Sequence, residues 1–283
     1  MIEDAKELAD YYEDLVDKIT QFSFVVNKDG TFAEGNSSFK KLSFSKFVEK
    51  SSNILRKFIT SQQDKNRIDN LDSVDTFIFP TVQMGVCGVT QDCDLTSSIL
   101  RAGGEGSSYH FATGYFNLTE RFMRDIMETR SRYGLLMAHP EANGFLGARF
   151  PIGGIPHAYT DIARTFRGRL IASGMEGRAR MFEYRRPGWT FHGKGLWVTE
   201  AGRPGPSLTM VGSPNFGYRS EKRDLESQLV IVTENEDLQR RLGEEQRHLY
   251  SHSEAVEDRT LEAEDRRTPA WVKIVVRVAR EWF

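Results

Sequence analysis

No run of roughly 18 apolar residues occurs in this chain, so no membrane-crossing helix is expected. A dominant charge is lacking as well. The 38 Lys and Arg stand against 40 Asp and Glu, and the formal net charge of −2 gives no global attraction to nucleic acid. Cysteine is scarce. Cys87 and Cys93 are the two present, and no further cysteine or nearby histidine completes a zinc-ligand set, so two reduced thiols and no metal or other cofactor are expected. The opening "MIEDAKELADYYEDLVDKI" is acidic, whereas a transit peptide is Arg-rich and a signal peptide carries an apolar run; neither is expected here. Nucleotide-loop patterns are missing too. The glycine-rich "EANGFLGARFPIGGIPHA" contains neither G-x-G-x-x-G nor G-K-[ST], which leaves a structured loop beside a site as the expectation.

What is present suits a soluble globular chain. Hydrophobic residues make up 39% and charged residues 28% of 283, enough for one large domain or two modest ones. Apolar spacing predicts helices over 3–20, 39–64 and 156–174 and over the polar stretch beginning at 236. Strands are predicted at 22–26, around "DTFIFPTVQMG", at 108–117, and in "GLLMAHP", "RARMFEYRR", "GLWVT", "SLTMVGS" and "SQLVIVTEN". Pro80 places its strand near a sheet edge. A helix starting near Asn117 or Thr119 lies between two of the strands, which predicts a βαβ unit in an α/β fold. Residues 27–38 are turn-rich and 61–75 read as a polar surface loop.

Chemistry concentrates between residues 191 and 226. In "FHGKGLW", His192 and Lys194 are two apart, so on a strand they share a face and reach one phosphate together. An imidazole attacks phosphorus or protonates a leaving oxygen, and the cation neutralises phosphate charge. "GSPN" then forms a tight turn that offers the Ser213 hydroxyl and the Asn215 amide to the same phosphate. Glu226, eleven residues beyond Asn215, is a carboxylate able to hold an imidazole in one tautomer. Tyr115 and Asn117 end a strand before a helix, a position that borders the site in an α/β sheet. Trp189 flanks the His192 segment, and Arg219 is the best placed of several basic residues to meet a diphosphate; Arg185, Arg186, Lys222 and Arg223 are the others.

The order H-x-K followed by G-S-x-N resembles the C-terminal signature of the phospholipase D superfamily. It departs at Thr199, where the pattern H-x-K-x(4)-D carries an aspartate. "TGYFNLT" at 113–119, Glu141 to Arg149, "RPGWTFHGKGLW" at 186–197 and "GSPNFGYRSEKRDLE" at 212–226 resemble, more closely, the eukaryotic phosphatidylglycerophosphate synthase family. That resemblance implies a phospholipase D-like mixed sheet with helices on both faces, one half of a two-half architecture. Residues 1–75 would be a linker and the end of an N-terminal half, and 76–283 the C-terminal catalytic half. It implies transfer of a phosphatidyl group from CDP-diacylglycerol to sn-glycerol 3-phosphate, peripheral membrane contact, no nucleic acid and a mitochondrial location. Lys194, Ser213 and Asn215 would hold phosphate oxygens, with His192 as general acid and then base, or with the roles of the two histidines reversed.

Of the six histidines only His192 is followed by Lys at plus two, so the second H-x-K that the family mechanism uses is absent. The chain is therefore expected to be an incomplete half, with its first motif upstream. The alternatives are a homodimeric single-motif phosphodiesterase and a catalytically silent half that binds lipid or a partner. The segment "WVKIVVRVAREWF" places Lys273, Arg277 and Arg280 on one helix face, which suits either an anionic membrane surface or a packed terminal helix.

Overall fold

The computed structural model describes residues 2–33, 37–39, 41–65 and 74–283. The chain divides into two units, residues 1–74 with 85–89, and residues 75–84 with 90–283. In the first unit, helices α1 (Lys6–Thr20) and α2 (Phe44–Lys65) accompany a short antiparallel pair, β1 (Val25–Val26) and β2 (Phe32–Ala33). Tyr11 and Leu15, one turn apart on α1, are buried, and the Tyr11 ring meets Phe58 of α2 at 5.1 Å. The strand expected over 22–26 shrinks to two residues because the preceding segment continues the turn of α1: the Phe22 and Ser23 amides donate to Ile19 and Thr20 carbonyls. The loop expected over 61–75 begins late, since 61–65 extend α2; residues 66–73 of that loop, and 34–36 of the turn-rich stretch, lie outside the described residues.

The larger unit is built on a mixed sheet. Its strands are β3 (Thr76–Met84), β4 (Ser108–Thr113), β5 (Arg132–Ala138), β6 (Ala179–Tyr184), β7 (Lys194–Thr199), β8 (Leu208–Gly212), β9 (Leu225–Thr233) and β10 (Ser253–Ala255). They pair in the order β10-β6-β5-β4-β7-β8-β9-β3. β4, β5 and β6 run parallel and the remaining pairings are antiparallel. The expected βαβ unit is β4–α4–β5, with α4 spanning Glu120–Glu128 and its N-terminus capped by the Thr119 side chain, which accepts from the Phe122 amide.

Alternating side chains feed two cores. On one face Tyr109 and Phe111 of β4 and Leu196 and Val198 of β7 pack under α3 (Gln91–Arg101), α4, α5 (Ile155–Ala172), α8 (Asp258–Glu262) and α9 (Ala270–Ala279), through Leu100, Ile126, Phe166, Leu261 and Val272 among others. On the other, Ala112, Leu136 and Trp197 pack under Leu242, Leu249 and Tyr250 of α7 (Glu236–Tyr250). The α/β class with helices on both faces is therefore as the sequence predicts. Each fully buried leucine or phenylalanine contributes about 1.5–3 kcal/mol, so both cores hold the sheet rigid beneath the site.

The topology brings four strand ends together. Thr113, the last residue of β4, is paired with Lys194, the first of β7. Gly212, the last of β8, is paired with Gln228 near the start of β9. A Cβ at Gly212 would fall 2.1 Å from the Gln228 Cβ, so glycine is what lets these strands close before the turn.

Candidate active site

His192 lies in the extended segment leading into β7, and Lys194 opens that strand. Their side chains meet: Lys194 Nζ is 3.1 Å from His192 Nε2 and 3.2 Å from the His192 carbonyl oxygen. With an ammonium as donor, Nε2 is the acceptor and the imidazole is neutral. Burial, and then the neighbouring Lys194 charge, hold the His192 pKa below the ordinary imidazole value. Burial likewise lowers the Lys194 pKa, partly offset by the negative charge of Glu226. Tyr115 supports the pair. Its ring meets the His192 imidazole edge-on at 5.1 Å, lies 5.7 Å from Lys194 Nζ and stacks on Tyr159 at 5.4 Å. Gly114 makes that approach possible, since a Cβ there would sit 3.0 Å from His192 Cα.

The Gly-Ser-Pro-Asn turn is fixed by strain and by hydrogen bonds. Phe216 has φ +56°, a left-handed conformation unfavourable for a bulky residue, and its buried ring packs edge-on against Phe111 at 5.2 Å. Asn215 is held between two segments. Its Oδ1 accepts from the Tyr115 amide at 3.3 Å and its carbonyl accepts from Thr113 Oγ1 at 2.9 Å. No hydrogen bond to a described residue engages the Asn215 Nδ2 group, which leaves it as a donor for a ligand in the cleft. Ser213 lines the same cleft, but its hydroxyl is engaged at the strand end, where it accepts from the Ser227 amide at 3.2 Å. Glu226 is buried, and its partner is not an imidazole. Ser220 Oγ donates to Glu226 Oε1 at 2.6 Å and accepts from the Asn215 amide at 3.0 Å, so the carboxylate braces the turn and acts on Lys194 through its charge.

These groups line a cleft of about 700 Å³. His192, Lys194, Ser213, Asn215, Arg219, Glu226 and Tyr115 all reach it, and Arg219 pairs with Asp224 at 2.9 Å on its wall. The rest of the wall is apolar: Phe145, Pro151 and Ile152 from the glycine-rich loop, Trp271 and Val275 from α9, and Trp282 and Phe283 beyond it. The loop is thus beside the site, as expected. Among the described residues, no group of three His, Cys, Asp or Glu is placed to hold a metal ion.

Two sequence expectations are corrected. Asn117 is not in the cleft. It is fully buried, its Nδ2 donating to the carbonyls of Arg280 at 2.9 Å and Phe283 at 3.1 Å while its Oδ1 accepts from Arg280 Nε at 3.1 Å. β4 ends at Thr113 rather than at 117, and the chain turns inward beyond it. Trp189 does not line the cleft either; it is exposed and carries Arg186 over its ring at 4.2 Å. The other basic candidates are also engaged elsewhere, Arg185 with Glu141, and Lys222 and Arg223 with Glu281. Sequence reasoning missed Ser220, which sits inside the short helix α6 (Tyr218–Lys222), and Tyr159, one residue on an otherwise ordinary apolar face of α5. The spacing from Asn215 to Ser220 to Glu226 is the signal that was available.

No family model matches the chain. Among curated proteins, the mitochondrial CDP-diacylglycerol–glycerol-3-phosphate 3-phosphatidyltransferase of Pongo abelii is 36% identical over the whole of this chain and 55% of its own length. The enzyme of the same name from Cricetulus griseus is 44% identical over 76% of this chain and 39% of its own length. A probable CDP-diacylglycerol–glycerol-3-phosphate 3-phosphatidyltransferase of Dictyostelium discoideum is 31% identical over 90% of this chain and 47% of its own. The fold is shared with a crystal structure of phosphatidylserine synthase from Haemophilus influenzae, at a TM-score of 0.61 and 18% identity, covering 81% of this chain and 52% of that one. The chain spans about half the length of the curated relatives it matches. On these matches, the whole of this chain is similar to a segment of CDP-diacylglycerol–glycerol-3-phosphate 3-phosphatidyltransferases that makes up about half their length.

Proposed function

We propose that this chain forms the C-terminal half of a catalytic centre that moves a phosphatidyl group from CDP-diacylglycerol to sn-glycerol 3-phosphate, giving phosphatidylglycerophosphate and CMP. The observation that carries the reading is the contact of Lys194 Nζ with His192 Nε2 at 3.1 Å, at the polar end of a cleft whose remaining walls are apolar. An entering phosphate takes the place of Nε2 as acceptor for Lys194, which frees the imidazole to react. Asn215 Nδ2 and the Arg219 guanidinium add donors for the other oxygens.

Two proton-balanced steps account for the reaction. First, one imidazole nitrogen bonds to phosphorus as the bond to the CMP oxygen breaks, and that oxygen takes a proton from a second imidazole. Next, the second imidazole accepts the proton of a glycerol hydroxyl, whose oxygen bonds to phosphorus as the phosphorus–nitrogen bond breaks. Attacking and leaving groups lie on opposite sides of phosphorus, so two imidazoles are needed. His192 is the one histidine among the described residues that line the cleft. The other comes from the part of the protein that the relatives possess and this chain does not span.

On this reading His192 transfers the proton and the histidine of the other motif is the nucleophile, the arrangement that the family resemblance favours over the reverse. Its lowered pKa favours the neutral form in the free cleft, so the negative charge of the arriving diphosphate must first draw a proton onto it. The mitochondrial location of the named relatives extends to this protein on the same reading, and its lipid substrate brings it into peripheral contact with a membrane. The test is His192→Ala in a chain that also carries the second H-x-K. CMP release then falls by about 10²–10⁴-fold with the fold intact; release at an unchanged rate overturns the reading.

A further inference from the structure

The cleft opens onto an apolar face that no described residue covers. α9 buries Val272 and Val276, one turn apart, against the body of the unit and leaves Ile274, Val275 and Val278 exposed. The glycine-rich loop runs alongside and exposes Leu146, Phe150 and Ile152. The two elements are continuous: the Phe150 and Trp271 rings meet at 5.2 Å, and Gly154 lies so close beneath Trp271 that a Cβ would fall 2.4 Å from its Cη2. Phe150 is 81% exposed and Val278 is 82% exposed, far more than isolated surface apolar residues require.

We infer that this face, α9 together with the 145–152 loop, is the surface by which the protein docks on a lipid bilayer, so that acyl chains pass between bilayer and cleft along the Ile152–Trp271 side. The inference rests on reading the cleft as a site for a lipid substrate, and three observations support it. Composition is that of an interfacial element, with Trp271 and Trp282 flanking an aliphatic surface. Charge is complementary to an anionic surface: Arg149, Lys273 and Arg277 are exposed around the face, none forms an ion pair with a described residue, and α9 carries no acidic residue. The cleft is also continuous with the face, because Ile152, Trp271, Val275 and Trp282 belong to its wall. A folded protein partner would more often meet such cations with carboxylates in fixed places, whereas a bilayer accepts apolar side chains and unpaired cations together.

The experiment measures binding of the chain to phosphatidylcholine vesicles with and without phosphatidylglycerol, in the absence of nucleotide substrate. Phe150→Ser/Val278→Ser weakens binding to both vesicle types by roughly a hundredfold, about tenfold for each side chain withdrawn. Lys273→Glu/Arg277→Glu removes the preference for phosphatidylglycerol, at roughly fivefold per cation. Val16→Ser, at an exposed apolar position of the first unit, leaves binding unchanged. Because Trp271 and Trp282 belong to the face, brominated acyl chains quench tryptophan emission in the parent chain and not in the Phe150/Val278 variant. Vesicle binding that survives Phe150→Ser/Val278→Ser overturns the inference. So does a loss of self-association in that variant with vesicle binding intact, which would make the face a contact between copies. Binding needs neither substrate nor His192, so loss of transfer in His192→Ala with docking intact bears on the reaction alone.

Discussion

Asn117→Ala separates a structural clamp from a substrate contact. The side chain has no solvent exposure and makes three hydrogen bonds to residues 280–283, one of them to the Arg280 guanidinium. Neutral hydrogen bonds contribute about 0.5–1.5 kcal/mol each and one to a charged group about 1.5–3 kcal/mol. Arg280 is a quarter exposed and Phe283 borders the cleft, so water reaches part of what alanine would leave unpaired. The net cost is therefore about 2–4 kcal/mol rather than the full sum. In a unit of roughly 200 residues this lowers the melting temperature by about 5–15 °C. Thermal unfolding followed by far-ultraviolet circular dichroism is the assay, with Trp282 emission as a local report on the freed segment. A melting temperature within about 2 °C of the parent, together with weakened substrate binding, would refute the reasoning and place Asn117 against the ligand.

Other consequences are equally direct. Lys194→Met removes the cation beside His192, so the imidazole midpoint in the free chain, read by NMR titration, rises toward its ordinary value; an unchanged or lower midpoint contradicts the contact. Gly114→Ala puts a methyl 3.0 Å from His192 Cα, and a displacement of a few tenths of an ångström is expected to cost roughly tenfold in transfer at about 1 kcal/mol of stability. His110 is half-buried, its buried Nδ1 lacks a partner among the described residues, and burial, then the Arg132 charge, push its pKa down to about 4. The unfolded chain therefore binds this proton first, and stability falls as pH drops from about 6.5 to about 4, by up to about 3 kcal/mol. Urea unfolding of His110→Leu is expected to show a shallower loss across that window.

The part of the site that was legible in the sequence is the part written locally. His192 and Lys194 are two apart in an extended segment, and Asn215 follows a turn that two apolar runs define, so spacing alone placed them in one cleft. Glu226 was identified as a member of the site but given the wrong partner, because Ser220 emerges from a five-residue helix that periodicity does not reveal. Asn117 was misplaced for a related reason. The apolar pattern of "SYHFATGYFN" continues past the true end of β4, and only the fold shows that Gly114 to Leu118 leave the sheet. The sheet itself was legible strand by strand, since each run alternates or is uniformly apolar. Its order was not, because β4 lies between β5 and β7 and its pairing with β7 spans more than eighty residues. The apolar walls of the cleft come from the 145–155 loop and α9, segments over a hundred residues apart that meet through Trp271, and no local pattern announces that meeting.

On the proposed function, this chain holds one imidazole of a two-imidazole centre. Its most direct test is transfer of labelled glycerol 3-phosphate onto CDP-diacylglycerol in detergent, by the chain alone over a wide concentration range and by the chain mixed with a relative's segment that carries the other H-x-K. The chain alone is expected to give no transfer, the mixture to give transfer, and the mixture containing His192→Ala to give none. Transfer by the chain alone, rising with the square of its concentration and lost in His192→Ala, would contradict it and assign both imidazoles to paired copies of His192.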